Sequence, residues 1–123
     1  MKIPINTISA EDLLQEMEEA EIHEDLPITV INVLDRDYFL DCRIKDSINI
    51  PVDILDEEVE DWDRGRKIVV YCASEDCSLS GQAYQILDDM GFSNIRAFEG
   101  GVKQWKEQHY PLEGSCQKPY LKS

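Results

Sequence analysis

Ile68-Val69-Val70-Tyr71-Cys72-Ala73-Ser74-Glu75-Asp76-Cys77-Ser78-Leu79-Ser80-Gly81 reads as a strand, a loop and the start of a helix. Four strand-forming apolar residues stop at a cysteine, a short polar segment follows, and Ala83, Ile86, Leu87 and Met90 then recur at helical spacing. In an open α/β sheet the carboxyl end of a central strand faces helix amino termini, where backbone N–H groups and the helix dipole converge on ligands. Cys72 is expected at that place.

Outward from this stretch, other segments alternate in the same way. Ile5 to Ile8 is a short strand candidate, and Ser9-Ala10-Glu11-Asp12 approximates a capping box, so a helix should start at Ala10. Ala10, Leu13, Leu14 and Met17 form its apolar face. A polar loop from Glu21 to Pro27 leads into Ile28-Thr29-Val30-Ile31-Asn32-Val33, a continuous run suited to a strand buried on both sides. Arg36 to Asp41 reads as a short helical turn, Ser47 to Ile50 as a short strand stopped by Pro51, and Asp53 to Trp62 as a helix on the spacing of Ile54, Leu55, Val59 and Trp62. Gly91 closes the helix after the central loop, Ile95 to Phe98 is the last strand expected, and Val102 with Trp105 opens a final helix. Strands alternating with helices imply βαβ units and a mostly parallel sheet of about five strands, covered on both faces in three layers. Residues 1–113 make up this α/β domain, and residues 114–123 are expected as a loosely held tail.

The 123 residues fit one domain, which buries roughly two thirds of its unfolded surface. With 26 acidic and 12 basic residues the net charge is -14, which argues against nucleic acid or an anionic membrane as partner. No stretch approaches the ~18 apolar residues of a membrane span and Met1 to Ala20 lacks the pattern of a secretory signal, so a soluble, cytoplasmic protein is expected. Reduced thiols are then the default for the four cysteines. Their spacing has no C-x2-C pair and neither histidine is near a cysteine in sequence, so no metal is assigned. The seven carboxylates from Asp53 to Asp63 do not follow a calcium-loop spacing and read as a solvated face. Trp62 and Trp105 read as core aromatics, and Cys42 and Cys116 as structural or incidental.

Ile68 to Cys72 entering the loop, Gly91-Phe92-Ser93-Asn94-Ile95, and Phe98-Glu99-Gly100-Gly101-Val102-Lys103-Gln104-Trp105, together with Ser47-Ile48-Asn49-Ile50-Pro51, stand in the order and separation of the rhodanese domain, which the chain resembles from about Ile8 to Glu113. The resemblance implies a rhodanese-like sulfurtransferase in which Cys72 takes sulfane sulfur from a donor, holds it as a persulfide and passes it to a thiol acceptor. Donor and acceptor are the partners implied, either of them a small molecule or a protein, and no cofactor is required. Backbone N–H groups of Ala73, Ser74, Glu75, Asp76, Cys77 and Ser78 would cradle the sulfur anion, and such a loop at a helix amino terminus lowers a thiol pKa. Ser74, Ser78 and Ser80 would donate to bound sulfur, or Ser78 or Ser80 would cap the helix.

The chain departs from the family at several places. The loop arginine expected five residues after the cysteine is Cys77, and no Lys or Arg lies between Cys72 and Leu87. Asp-x-Arg after the second strand reads Asn32-Val33-Leu34, and the Gly-His-Ile segment reads Cys42-Arg43-Ile44. Thiosulfate, a dianion, would bind poorly without a cation from elsewhere, for which Arg43 is one candidate. A persulfide or polysulfide donor fits better. Cys77 is a second thiol that could close a disulfide with Cys72 or act as a redox switch. A regulatory or protein-binding module is the rival reading, and a phosphatase or arsenate reductase of the same fold is disfavoured by the missing arginine.

Overall fold

The computed structural model describes residues 4–25 and 27–122. In chain order the elements are α1 (Ala10–Ile22), β1 (Thr29–Asn32), α2 (Arg36–Asp41), β2 (Arg43–Ile44), β3 (Ile48–Asn49), α3 (Leu55–Glu58), β4 (Ile68–Tyr71), α4 (Leu79–Asp89), β5 (Ile95–Phe98), α5 (Gly101–Glu107) and β6 (Leu112–Glu113). The main sheet is parallel throughout, in the order β3-β1-β4-β5, with Val30 opposite Val69 and Val70 opposite Ala97. β4 therefore lies between neighbours, and its four residues are all buried.

Side chains alternate across a strand, so a strand covered on both faces must be apolar at every position. Ile68, Val70 and Cys72 pack with Leu55 and Val59 and with Ala83, Tyr84 and Leu87 of α4. Val69 and Tyr71 pack on the other face with Leu13 of α1 and with Val102 and Trp105 of α5. Three layers result, as the sequence predicts.

The sheet has four strands where about five were expected. The candidate at Ile5 to Ile8 is reduced to one parallel bridge, Thr7 with Ala97, because Ser9 already begins α1 by accepting the Asp12 N–H at 3.1 Å. Beyond β5 a further strand, β6, pairs antiparallel with β2, Ile44 opposite Leu112. The helix expected from Asp53 to Trp62 is only a 3₁₀ turn at Val52–Ile54 and the single turn α3. Like charges at helical neighbours, Asp53 with Glu57 and Asp56 with Glu60, oppose a longer helix, while buried Leu55 and Val59 hold the turn in place.

The tail is not loose. Asp41, at the end of α2, accepts the N–H groups of Gln117 (3.0 Å) and Lys118 (3.2 Å) on its carboxylate and that of Cys116 (2.7 Å) on its carbonyl, and Leu121 is buried. Cys42 and Cys116 form a disulfide, which corrects the default of four reduced thiols; Cys72 and Cys77 are free. Among the described residues no helix is long and apolar enough to cross a membrane, and no cluster of ligand-type side chains is arranged for a metal.

Candidate functional site

Cys72 immediately follows β4 and has no exposed surface. Its carbonyl accepts the Val102 N–H at 3.0 Å and the Ala73 carbonyl accepts the Lys103 N–H at 2.9 Å, so the start of α5 is docked on the start of the loop. Gly101 makes this approach possible. Its φ is 66°, and a Cβ there would lie 2.5 Å from the Cys72 carbonyl oxygen and 2.7 Å from Ser74 N. Beyond the dock the loop turns back, the Cys77 N–H donating to the Ser74 carbonyl at 3.0 Å. Glu75 and Asp76 are exposed at the tip, and Ala73, Ser74 and Cys77 are half-buried.

The Cys72 thiol points into this turn, where its Sγ lies 3.4 Å from the Cys77 carbonyl oxygen and 4.0 Å from that of Ser74. Burial, reinforced by the neighbouring Cys77 side chain, pushes the thiol up to about 11, against an opposing pull from the hydroxyl and backbone N–H of Ser80. The downward shift expected from loop amides and the helix amino terminus is thus reversed. The first reason is burial, which penalises the thiolate; the loop geometry agrees with it, since carbonyl oxygens face the sulfur and the Cys77 N–H is engaged in the turn. Of the serines, Ser78 occupies the position before α4 without a side-chain capping bond, and Ser80 is buried in its first turn beside the sulfur.

Between the loop and α5 lies a hollow of about 220 Å³ lined by Ser74, Glu75, Asp76, Lys103, Gln104 and Glu107. Lys103 is the cation that the sequence reading missed. The signal was present, because α5 follows the strand beside β4 and so begins at the same end of the sheet as Cys72. Arg43 serves elsewhere: its guanidinium donates to the Phe39 carbonyl at 3.4 Å, stacks over the Phe39 ring and lies 3.7 Å from Glu113 across the β2-β6 pair.

A parallel four-stranded sheet with a cysteine loop between its central strand and α4 agrees with a match to the Rhodanese-like domain profile over residues 9–108. The chain belongs to the rhodanese-like domain family. Among solved structures, a rhodanese-related protein from Thermoplasma volcanium is 30% identical with a TM-score of 0.72, covering 88% of this chain and 97% of that one. The BH2092 protein of Bacillus halodurans, 21% identical with a TM-score of 0.78 over 90% of this chain and 78% of that one, shares the fold. Thiosulfate sulfurtransferase GlpE of Coxiella burnetii is 26% identical over 97 residues, 78% of this chain and 88% of the enzyme. HTH-type transcriptional regulator Rv0324 of Mycobacterium tuberculosis is 24% identical over 110 residues; these are 89% of this rhodanese-like chain but 46% of the regulator, so the chain spans less than half of that relative.

Proposed function

We propose that this rhodanese-like domain is a sulfurtransferase whose carrier is Cys72. The supporting observation is the placement of a free cysteine at the end of the central strand, inside a turn that begins α4. In the first half-reaction the Cys72 sulfur attacks the outer sulfur of a donor R–S–SH, the donor S–S bond breaks, and the leaving R–S⁻ takes the proton that Cys72 loses. The products are Cys72–S–SH and R–SH. An acceptor thiolate then attacks the outer sulfur, and Cys72 leaves as a thiolate that is reprotonated. No external oxidant or reductant is required. Because the resting thiol is held up near 11, deprotonation belongs to the reaction itself rather than to the free protein.

Three carboxylates and one ammonium line the hollow beside the loop, which disfavours dianionic thiosulfate relative to a donor of lower charge, such as a hydropolysulfide or a protein-borne persulfide. The test is the intact mass of reduced protein after brief exposure to polysulfide and, separately, to thiosulfate. One added sulfur atom in wild type, absent in Cys72→Ser and removed by a thiol reductant, is expected from polysulfide, with little from thiosulfate. No Cys72-dependent gain from either donor would overturn the reading in favour of a protein-binding module.

The contact of the Cys77 side chain with Cys72 favours a second use of the loop. Cys77 would attack the inner sulfur of Cys72–S–SH, forming Cys72–S–S–Cys77 and releasing hydrogen sulfide. Sulfide release that vanishes in Cys77→Ser would support this use, and unchanged release would exclude it.

A further inference from the structure

On the opposite face of the sheet from Cys72, the remaining two cysteines form a site that the sulfur chemistry does not use. Cys42, which follows α2, is completely buried with Val69, Tyr71 and Trp105, whereas Cys72 packs with Val70 and Leu87 on the α4 side. The sheet separates the two, so the Cys42–Cys116 pair is not a relay for the carrier. Its Cα atoms are 4.5 Å apart, and the bond joins positions 74 residues apart in sequence.

We propose that Cys42–Cys116 is a second redox-active site, a reversible latch opened by dithiol reductants that fixes the segment 114–122 on the domain. Access is one-sided: Cys116 is half-buried and Cys42 fully buried, so a reductant thiolate reaches Cys116 Sγ and Cys42 is the leaving sulfur. The first attack gives a mixed disulfide at Cys116 and a Cys42 thiolate that takes up a proton. The second thiol of the reductant then attacks its own bonded sulfur, releasing Cys116 and oxidising the dithiol to a cyclic disulfide.

With the bond cut, the polar hold on the segment converges on Asp41, which receives Cys116, Gln117, Lys118 and the Ser115 hydroxyl, and the remaining hold is the Lys118–Asp37 ion pair with the packing of Leu121 and Tyr120. Two features of the closed form favour opening. Cys116 has a positive φ of 55°, an uncommon conformation for a side-chain-bearing residue. The Tyr120 hydroxyl, carried against Tyr38 by this segment, is buried with no hydrogen-bond partner among the described residues, and release returns it to water.

The experiment is hydrogen–deuterium exchange of the full chain, with non-reducing peptide mapping, before and after dithiothreitol and after reoxidation with oxidised glutathione. A linked Cys42–Cys116 peptide is expected in the oxidised protein. Its loss should accompany at least tenfold faster exchange in 114–122, with β4 and α4 unchanged, and reoxidation should restore protection. Cys116→Ser, which leaves the buried Cys42 in place, should show the fast exchange without any reductant. Failure of glutathione to form the bond, or equal protection of the segment in both states, would overturn the proposal.

Discussion

At Cys72 the burial of the sulfur decides the chemistry more than the helix does. A thiol held from its ordinary value near 9 up to about 11 is almost wholly protonated at neutral pH, so its reaction with a small electrophile such as iodoacetamide should accelerate about tenfold per pH unit from 7 to 10. Mass-resolved alkylation at Cys72 checks this, and a plateau below pH 9 would contradict it. Because the Cys77 side chain is one of the raising causes, Cys77→Ala should move the apparent midpoint of the same profile downward. The sign for stability follows from the folded state's preference for the neutral thiol. Its contribution is complete below the unfolded value near 9 and is lost as pH rises toward 11. One residue earlier, Tyr71 points to the other face and is the centre of a buried polar network. Its hydroxyl accepts from Ile44 N (3.1 Å) and Asn32 Nδ2 (3.2 Å) and lies 2.7 Å from Ser47 Oγ, whose own proton goes to the Ile44 carbonyl, so Tyr71 donates to Ser47. Tyr71→Phe leaves two buried donors unpaired and should destabilise the fold by about 1–3 kcal/mol, read from denaturant unfolding.

At the scale of elements, α1 is tied to the sheet by a carboxylate between two cations. Glu16 receives both terminal nitrogens of Arg96 on β5 at 2.7 Å each and pairs with Lys67, the residue before β4. The Arg96 guanidinium above all, with Lys67, holds the Glu16 carboxyl down at about 2, against the upward pull of partial burial. A depressed acid stabilises above its unfolded value near 4.5, and the gain disappears as pH falls toward 2. Partial exposure reduces the worth of the group to about 1–2 kcal/mol. Glu16→Gln should therefore lower stability by that amount at pH 7 and by much less at pH 2.5, measured by chemical denaturation at both. In sequence, α1 was legible from Ser9 and its apolar spacing, and β4 from its unbroken apolar run. The Glu16 clamp was not, because its partners lie 51 and 80 residues away and an acidic residue beside a helical stripe reads as solvated. The short α3 was overread for a related reason: apolar spacing over ten residues says nothing about carboxylates that repel within the same turns.

For the molecule as a whole, the parallel sheet and the strand–cysteine–helix unit could be read from order and spacing, since each rests on local periodicity. Of the candidate site, the sequence made legible only the position of Cys72 after the central strand. Which groups face its sulfur, that Lys103 rather than Arg43 borders the loop, and that Cys42 meets Cys116 all depend on contacts between segments far apart in the chain. Charge is the remaining whole-molecule property. A net charge of -14 on 123 residues makes the folded state repel itself, and the repulsion acts over the Debye length, about 30 Å at 0.01 M salt and 10 Å at 0.1 M. Screening also weakens favourable pairs, but the four ion pairs among the described residues involve few of the 26 carboxylates. The repulsive sum should dominate. The thermal midpoint at pH 7 is therefore expected to rise as sodium chloride increases from 0.01 to about 0.3 M, with most of the rise below 0.1 M where the screening length shrinks fastest. Calorimetry across that range would decide the matter, because a midpoint that falls with salt would mean that the Glu16 clamp and its like outweigh the surplus of negative charge.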